Sequence, residues 1–290
     1  MLSPFLTFAL LVWVTASIAA APATQPFENF VINYSTPVDP ALQAKLEAID
    51  AKVRGQFDIK PEQTNVGLLD LLHPRLAMIQ PDHTVYAASV AKVAILLAYF
   101  QTRPEAATNL DPAVEHELGL MIRISSNEMA SKYSHLIGLR TVQEVLTGYG
   151  FYNKDHGGGI WLGKHYGQDS ERYPDPLTGN SHAVNVRQLL RFYLMMEQGK
   201  LVSPEASAKM REIFSLPTIP LDDFKFTRGL RGRGLNIIRK SGTWEQWLHD
   251  TAEITGPGRR YVLVALTENL KGDDYLEALA PLVDDLMQGK

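Results

Sequence analysis

Ser89-Val90-Ala91-Lys92 is the first place where this sequence suggests chemistry. A serine hydroxyl is a weak nucleophile and needs a base within hydrogen-bond reach. Residues three apart share a helix face, so Lys92 can stand over Ser89 if the segment is helical. The start of a helix adds free amides and a positive dipole end, which favour a developing oxyanion. Lys92 accepts a proton only if burial keeps it neutral near working pH. Ala88, Ala91, Val93 and Ile95 supply apolar surroundings for that. The pair alone is thin, since about 0.6 chance matches to S-x-x-K are expected in this composition. A helix cap followed by a lysine whose head reaches water explains it at least as well.

Two later groups change the weight. Ser125-Ser126-Asn127 offers a second hydroxyl and a carboxamide, able to pass a proton and to bind an amide. Simple helix capping is the alternative. Lys240-Ser241-Gly242-Thr243 sets an ammonium and two hydroxyls beside a glycine, where a substrate backbone can approach closely. Its alternative is a polar strand end, and about 0.1 chance matches to K-[ST]-G are expected. His156-Gly157-Gly158-Gly159 is similar to the oxyanion loop of lipases, but no G-x-S-x-G accompanies it, so it reads as a flexible loop. His249-Asp250 reads as a satisfied structural pair, with a place in the cleft as the alternative.

The elements that must position these groups follow from periodicity. Asp39 and Pro40 open a helix whose Leu42, Leu46, Ile49 and Val53 share one face. Residues 65–71 and 76–79 form a hairpin about His73-Pro74-Arg75. Residues 86–100 read as a buried helix beginning near Ser89. Helices follow at 114–124 and 128–137, with the Ser/Asn cluster between them. Residues 148–180 are rich in glycine and proline and read as a long functional loop. Helices return at 184–196 and 204–214. Strands at 235–244, 249–255 and 260–267 and a helix at 275–287 end the chain. The fold class expected is α/β, an antiparallel sheet flanked by helices with an inserted all-helical lobe. Residues 22–88 and 215–290 make the α/β lobe, and residues 89–214 the helical lobe, including the cleft loop 148–180.

Composition narrows the function. The chain has 290 residues, 45% hydrophobic and 21% charged, an ordinary globular balance with room for a sizeable core. A net charge of -4 carries no basic footprint for nucleic acid. The absence of cysteine excludes disulfides, thiolate chemistry and cysteine-ligated zinc. The eight histidines form no HExxH and no close pair in sequence, so neither metal nor cofactor is expected. Residues 1–21 read as a signal peptide: Phe5 to Ala21 is almost wholly apolar, and the small residues Ala19, Ala20, Ala21 and Ala23 suit cleavage. An uncleaved membrane anchor is the alternative reading. Export to the periplasm or beyond is expected, with no membrane attachment after cleavage.

Taken in order, Ser89-x-x-Lys92, Ser125-x-Asn127 and Lys240-Ser241-Gly242-Thr243 resemble the S-x-x-K, S-D-N and K-T-G set of class A β-lactamases and penicillin-binding proteins. The resemblance spans nearly the whole chain after residue 21. It implies that Ser89 is acylated, Lys92 is base or relay, and Ser125 shuttles a proton to the leaving nitrogen. It implies further that Asn127 binds a substrate amide, that Lys240, Ser241 and Thr243 bind its carboxylate, and that the N–H groups of Ser89 and Thr243 form an oxyanion hole. Three departures stand out: Ser126 replaces an Asp, the stretch between Lys92 and Ser125 is short, and the loop lacks the family's E-x-x-L-N. Glu171 is the candidate deacylation base in its place. The expected reaction is acyl transfer to Ser89 from a β-lactam amide, followed by hydrolysis. The alternatives are a D-alanyl-D-alanine carboxypeptidase or related cell-wall amidase or esterase, and a penicillin-binding sensor that acylates without turnover.

Overall fold

The computed structural model describes residues 26–290. The expected signal segment, residues 1–21, lies outside the described residues. The chain runs through α1 (Pro40–Phe57), β1 (Thr64–Asp70), β2 (Arg75–Ile79) and β3 (Val85–Tyr86) into a 3-10 turn at Ala88–Ala91. Helices α2 (Lys92–Thr102), α3 (Pro112–Arg123), α4 (Asn127–Ile137) and α5 (Leu139–Gly148) follow. Short strands β4 (Tyr152–Asn153), β5 (Gly158–Gly159), β6 (Trp161–Leu162) and β7 (His182–Val184) punctuate the cleft loop. Then come α6 (Val186–Glu197), α7 (Pro204–Ser215), the single turn α8 (Phe226–Gly229), β8 (Asn236–Trp244), β9 (Trp247–Gly256), β10 (Arg259–Glu268) and α9 (Gly272–Met287).

Five strands form one antiparallel sheet in the order β2-β1-β10-β9-β8. Side chains alternate across a pleated strand, so each strand serves two cores. On β10, Tyr261, Leu263 and Ala265 join α1, α8 and α9 on one face. Val262, Val264 and Leu266 join the helices α2 to α7 on the other. The expected antiparallel sheet flanked by helices is therefore the architecture found. Gly67 on β1 lets α6 lie against the sheet, because a Cβ there would fall 2.4 Å from Val186 Cγ1.

Every residue of α2 from Lys92 to Phe100 is buried. An apolar helix with no solvent face belongs at the centre of a core, and α2 is the post around which the helical side is built. Truncating a leucine there to alanine is expected to cost about 2–5 kcal/mol. The Asp39 carboxylate caps α1 by accepting from Leu42 N at 2.8 Å, with Pro40 in the first position.

Two expectations are corrected. The segment entering α2 is a 3-10 turn rather than α-helix at Ser89. A further helix, α5, stands where none was expected; Leu139, Val142 and Leu146 form its buried face. Gly138, with φ 86°, separates it from α4, so two helices meet at a left-handed kink. In the glycine run, Gly158 and Gly159 pair with β4, and His156 stacks on Tyr34 at 3.8 Å, so that run is structural. No helix among the described residues is long and apolar enough to cross a membrane.

Candidate active site

Ser89 lies in the 3-10 turn, where residues three apart eclipse one another, so Lys92 follows directly along the axis from it. The turn is held from three sides. Ala87 N donates to His182 O at 3.1 Å, and the Tyr166 hydroxyl donates to Ala88 O at 2.9 Å. Beneath, His249 Nε2 lies 2.7 Å from Tyr86 O, while its Nδ1 accepts from Thr267 N at 3.1 Å. A carbonyl only accepts, so Nε2 carries the proton and the ring is neutral; burial pushes its pKa down to about 4. His249 therefore ties the sheet to the turn and does not face the cleft. Asp250 receives Arg239 Nε at 2.7 and 2.9 Å and Phe226 N at 3.1 Å, a buried structural set.

Gly242 brings the third motif against the first. A Cβ on it would stand 2.9 Å from Ala87 O and 3.0 Å from Val90 Cγ2. Only a residue without a side chain lets β8, an edge strand, lie flat on the turn. Ala88 at φ 46° and Ser125 at φ 64° hold left-handed backbone without being glycine. Such strain persists only where the surroundings enforce it, and here it flanks the site.

Three buried lysines converge behind the opening. Lys92 Nζ donates to Ser125 O at 2.5 Å and Asn127 Oδ1 at 2.7 Å. A neutral amine has two N–H donors and one lone pair. The two acceptors use the donors and leave the lone pair free. Burial pushes the Lys92 pKa down to about 7, so this neutral form is accessible. Among the described residues, Ser89 Oγ forms no hydrogen bond, and its proton is uncommitted. Lys240 Nζ donates to Ser125 Oγ at 2.6 Å and Ser241 O at 2.7 Å. Burial, and then the charge of Lys92, hold its pKa well below the usual lysine value. Because Ser125 Oγ accepts from Lys240, its own proton is free to be given away.

Lys225 was not singled out from the sequence. It donates to Gly242 O at 2.7 Å, Thr243 Oγ1 at 2.8 Å and His249 O at 3.2 Å. Three acceptors match an ammonium, although burial pulls its pKa to about 8. The Thr243 hydroxyl, accepting from Lys225, is left to donate outward.

The opening is a cavity of about 610 Å³. Ser89, Asn127, Tyr166, His182, Thr243 and Trp247 are among its walls. Tyr166 stacks on His182 at 4.6 Å and faces Lys92 Nζ at 4.4 Å. Burial pushes His182 down to about 4, so it adds no charge. Lys164 and Arg172 add positive charge, and Glu245 is the one carboxylate in the lining. With two cations against one carboxylate, the lining suits an anionic substrate.

Six of the expected residues thus come together: Ser89, Asn127 and Thr243 at the wall, Lys92, Ser125 and Lys240 behind. Ser241 contributes its carbonyl to Lys240 and is not among the cavity walls. Ser126, at the departure from S-D-N, caps α4 by accepting from Met129 N at 3.2 Å. Glu171 is not brought to the cavity. Asp169 Oδ1 accepts from Glu171 N at 2.8 Å, an Asx-type turn that sends the Glu171 carboxylate to His165 Nε2, 3.2 Å away. Among the described residues, His135, His165 and Asp169 form the one group placed to share a metal ion.

The fold has many solved counterparts. A β-lactamase from Sphaerobacter thermophilus DSM 20745 superposes with a TM-score of 0.68 at 15% identity, over 86% of this chain and 98% of its own. PBP-A superposes at 0.66 and 18% identity, over 88% and 99%. A class A β-lactamase from Mycobacterium abscessus superposes at 0.66 and 15% identity, over 85% and 99%. No curated protein sequence matches the chain. Its own sequence matches the profile of the Beta-lactamase enzyme family over residues 104–286, more than half its length. With the sheet, the helical core and the converging serines and lysines in place, that match establishes that the chain belongs to the Beta-lactamase enzyme family.

Proposed function

We propose that the chain opens β-lactam amides through an acyl-enzyme at Ser89 and releases the product by hydrolysis. The observation that carries this is the Lys92 amine. Its two donors are spent on Ser125 O and Asn127 Oδ1, which leaves its lone pair free one helical turn on from Ser89.

Lys92 Nζ takes the Ser89 proton as Oγ bonds to the carbonyl carbon. The carbonyl oxygen takes up negative charge opposite the N–H groups of Ser89 and Thr243. The C–N bond breaks as Ser125 gives its proton to the leaving nitrogen. Lys240, donating to Ser125 Oγ, restores that proton. Thr243 and the cationic lining receive the substrate carboxylate, and the Asn127 amide receives its side-chain amide. The proton that Lys92 took from Ser89 then replaces the one Lys240 gave up, by way of the adjoining Ser125, so Lys92 is neutral again; it takes a proton from the water that attacks the ester and returns it to Ser89 as the ester C–O bond breaks. A PBP-A mutant of the same fold, 18% identical, has been solved as an acyl-enzyme complex with penicillin G. That supports acylation as the step the geometry serves.

A second reading is a penicillin-binding protein that acylates and releases slowly. The placement of Glu171 on His165, away from the cavity, favours it. The same machinery serves a D-alanyl-D-alanine-type amide. Purified protein mixed with excess chromogenic cephalosporin separates these readings. Many turnovers are expected from hydrolysis, a burst of one equivalent from the sensor, and no signal if the substrate class is wrong. Release of D-alanine from a D-alanyl-D-alanine peptide tests the peptidase reading. Export through residues 1–21 belongs to the same proposal. The mass of protein recovered outside the cytoplasm tests it, since a chain retaining residue 1 contradicts cleavage.

A further inference from the structure

We propose that His135, His165 and Asp169 form a site for one divalent transition-metal ion of the zinc type, pinning the cleft loop to α4. One donor atom from each of His135, His165 and Asp169 lies within 4.8 Å of the others. The two rings stack at 3.7 Å with an interplanar angle of 13°.

His135 Nδ1 lies 2.8 Å from Ser131 O, which only accepts, so that nitrogen carries the proton. His165 Nδ1 lies 2.8 Å from Ser134 Oγ. The single Ser134 proton is directed to Ser131 O at 3.1 Å, so Ser134 Oγ accepts from His165. With Nδ1 so committed, each ring turns Nε2 to its other side. Each Nε2 faces a carboxylate: His135 faces Asp169 Oδ2 at 2.7 Å, and His165 faces Glu171 Oε2 at 3.2 Å. Each of these contacts therefore needs a proton or a metal ion between its two atoms. Protonating both rings would stack two cations face to face. One divalent ion between the two Nε2 atoms and the Asp169 carboxylate serves all three groups at once.

The surroundings fit that role. Ligating histidines commonly donate their other nitrogen to a carbonyl or hydroxyl, which fixes the tautomer, as Ser131 O and Ser134 Oγ do here. Two imidazoles and one carboxylate suit zinc, at about 2.0–2.2 Å from each donor, with water in the fourth position. His165 is buried, whereas the His135 side chain is 49% exposed, so His135 is the ring free to tilt towards a shared ion.

The site is distinct from the Ser89 machinery but adjoins it. α4 starts at Asn127, and His165 and Tyr166 are cavity walls, so a bound ion joins two sides of the cleft. The inference needs no assumption about what Ser89 acts on.

The test is titration of the metal-stripped full-length protein with zinc against a chromophoric chelator, alongside thermal denaturation. Wild type is expected to bind one equivalent and to gain several degrees in Tm. Cobalt loading is expected to add the visible absorption of a four-coordinate ion. His135→Ala, at an exposed position, and Asp169→Asn are each expected to weaken binding at least tenfold and to abolish the Tm gain. Failure of wild type to bind zinc overturns the proposal. So does unchanged stoichiometry and affinity in the folded His135→Ala protein.

Discussion

Lys240 Nζ stands 2.6 Å from Ser125 Oγ, joining residues 115 apart in the chain. The contact sets a Lys240 N–H on the Ser125 oxygen and leaves the Ser125 proton free, the arrangement the proposed relay needs. Ser125→Ala is expected to slow β-lactam acylation about 100-fold or more, the scale of one lost proton-transfer group. Lys240→Ala is expected to lower the rate as well, because Ser125 Oγ loses the donor that replaces its proton. Stopped-flow acylation with both variants checks this, and a wild-type rate in Ser125→Ala contradicts the relay.

The pH profile follows from Lys92. Its amine must be neutral to take the Ser89 proton, and its pKa is lowered to about 7 by burial. Acylation is expected to fall about tenfold for each pH unit below 7 and to level off above it. A flat profile between pH 5 and 8 contradicts this base.

The same burial sets a stability trend. The folded pKa of Lys92 lies below its unfolded value, so the unfolded chain binds the extra proton across the window from about 7 to 10.5. Stability from this group therefore rises with pH through that window and is lowest below it. Lys92→Met is expected to abolish acylation and to raise Tm, most at pH 6 and little near pH 10. Thermal melts at the two pH values check the sign.

Gly242→Ala separates packing from chemistry. The added methyl would meet Ala87 O at 2.9 Å and lift β8 from the serine turn. An overpacking cost of about 1–3 kcal/mol is expected, with acylation reduced far more than that cost alone explains. Denaturant melts and acylation rates on one preparation distinguish the two effects.

Lys225 positions Thr243 without lining the cavity itself. Lys225→Met is expected to raise KM for a carboxylate-bearing β-lactam more than it lowers kcat. It also leaves Gly242 O and His249 O short of a donor, costing about 1–3 kcal/mol for each carbonyl left unsatisfied. Steady-state kinetics beside a melt checks the split.

Much of this arrangement was legible in the sequence because order carries it. Ser89, Ser125 and Lys240 each have an ordinary alternative meaning, and only their succession on a helix start, a helix break and a strand points to one cleft. The sheet followed from alternation in residues 235–267, and α2 from an apolar run with no polar face. What escaped depended on tertiary geometry. Lys225 lies in no motif; it reaches Thr243 only because α8 begins beside the β8–β9 hairpin. Helix α5 begins directly after Gly138, whose φ of 86° breaks it from α4. His135 and His165, 30 positions apart, become stacked neighbours only when the loop folds over α4. The turn at Asp169 sends Glu171 to His165, which no spacing rule anticipates.

The central claim is covalent attachment at Ser89, and mass spectrometry tests it most directly. Wild-type protein incubated with a penicillin and digested is expected to carry the opened β-lactam on the peptide containing Ser89, and the Ser89→Ala protein to carry none. An adduct absent from the wild type, or one that persists in Ser89→Ala, contradicts the account.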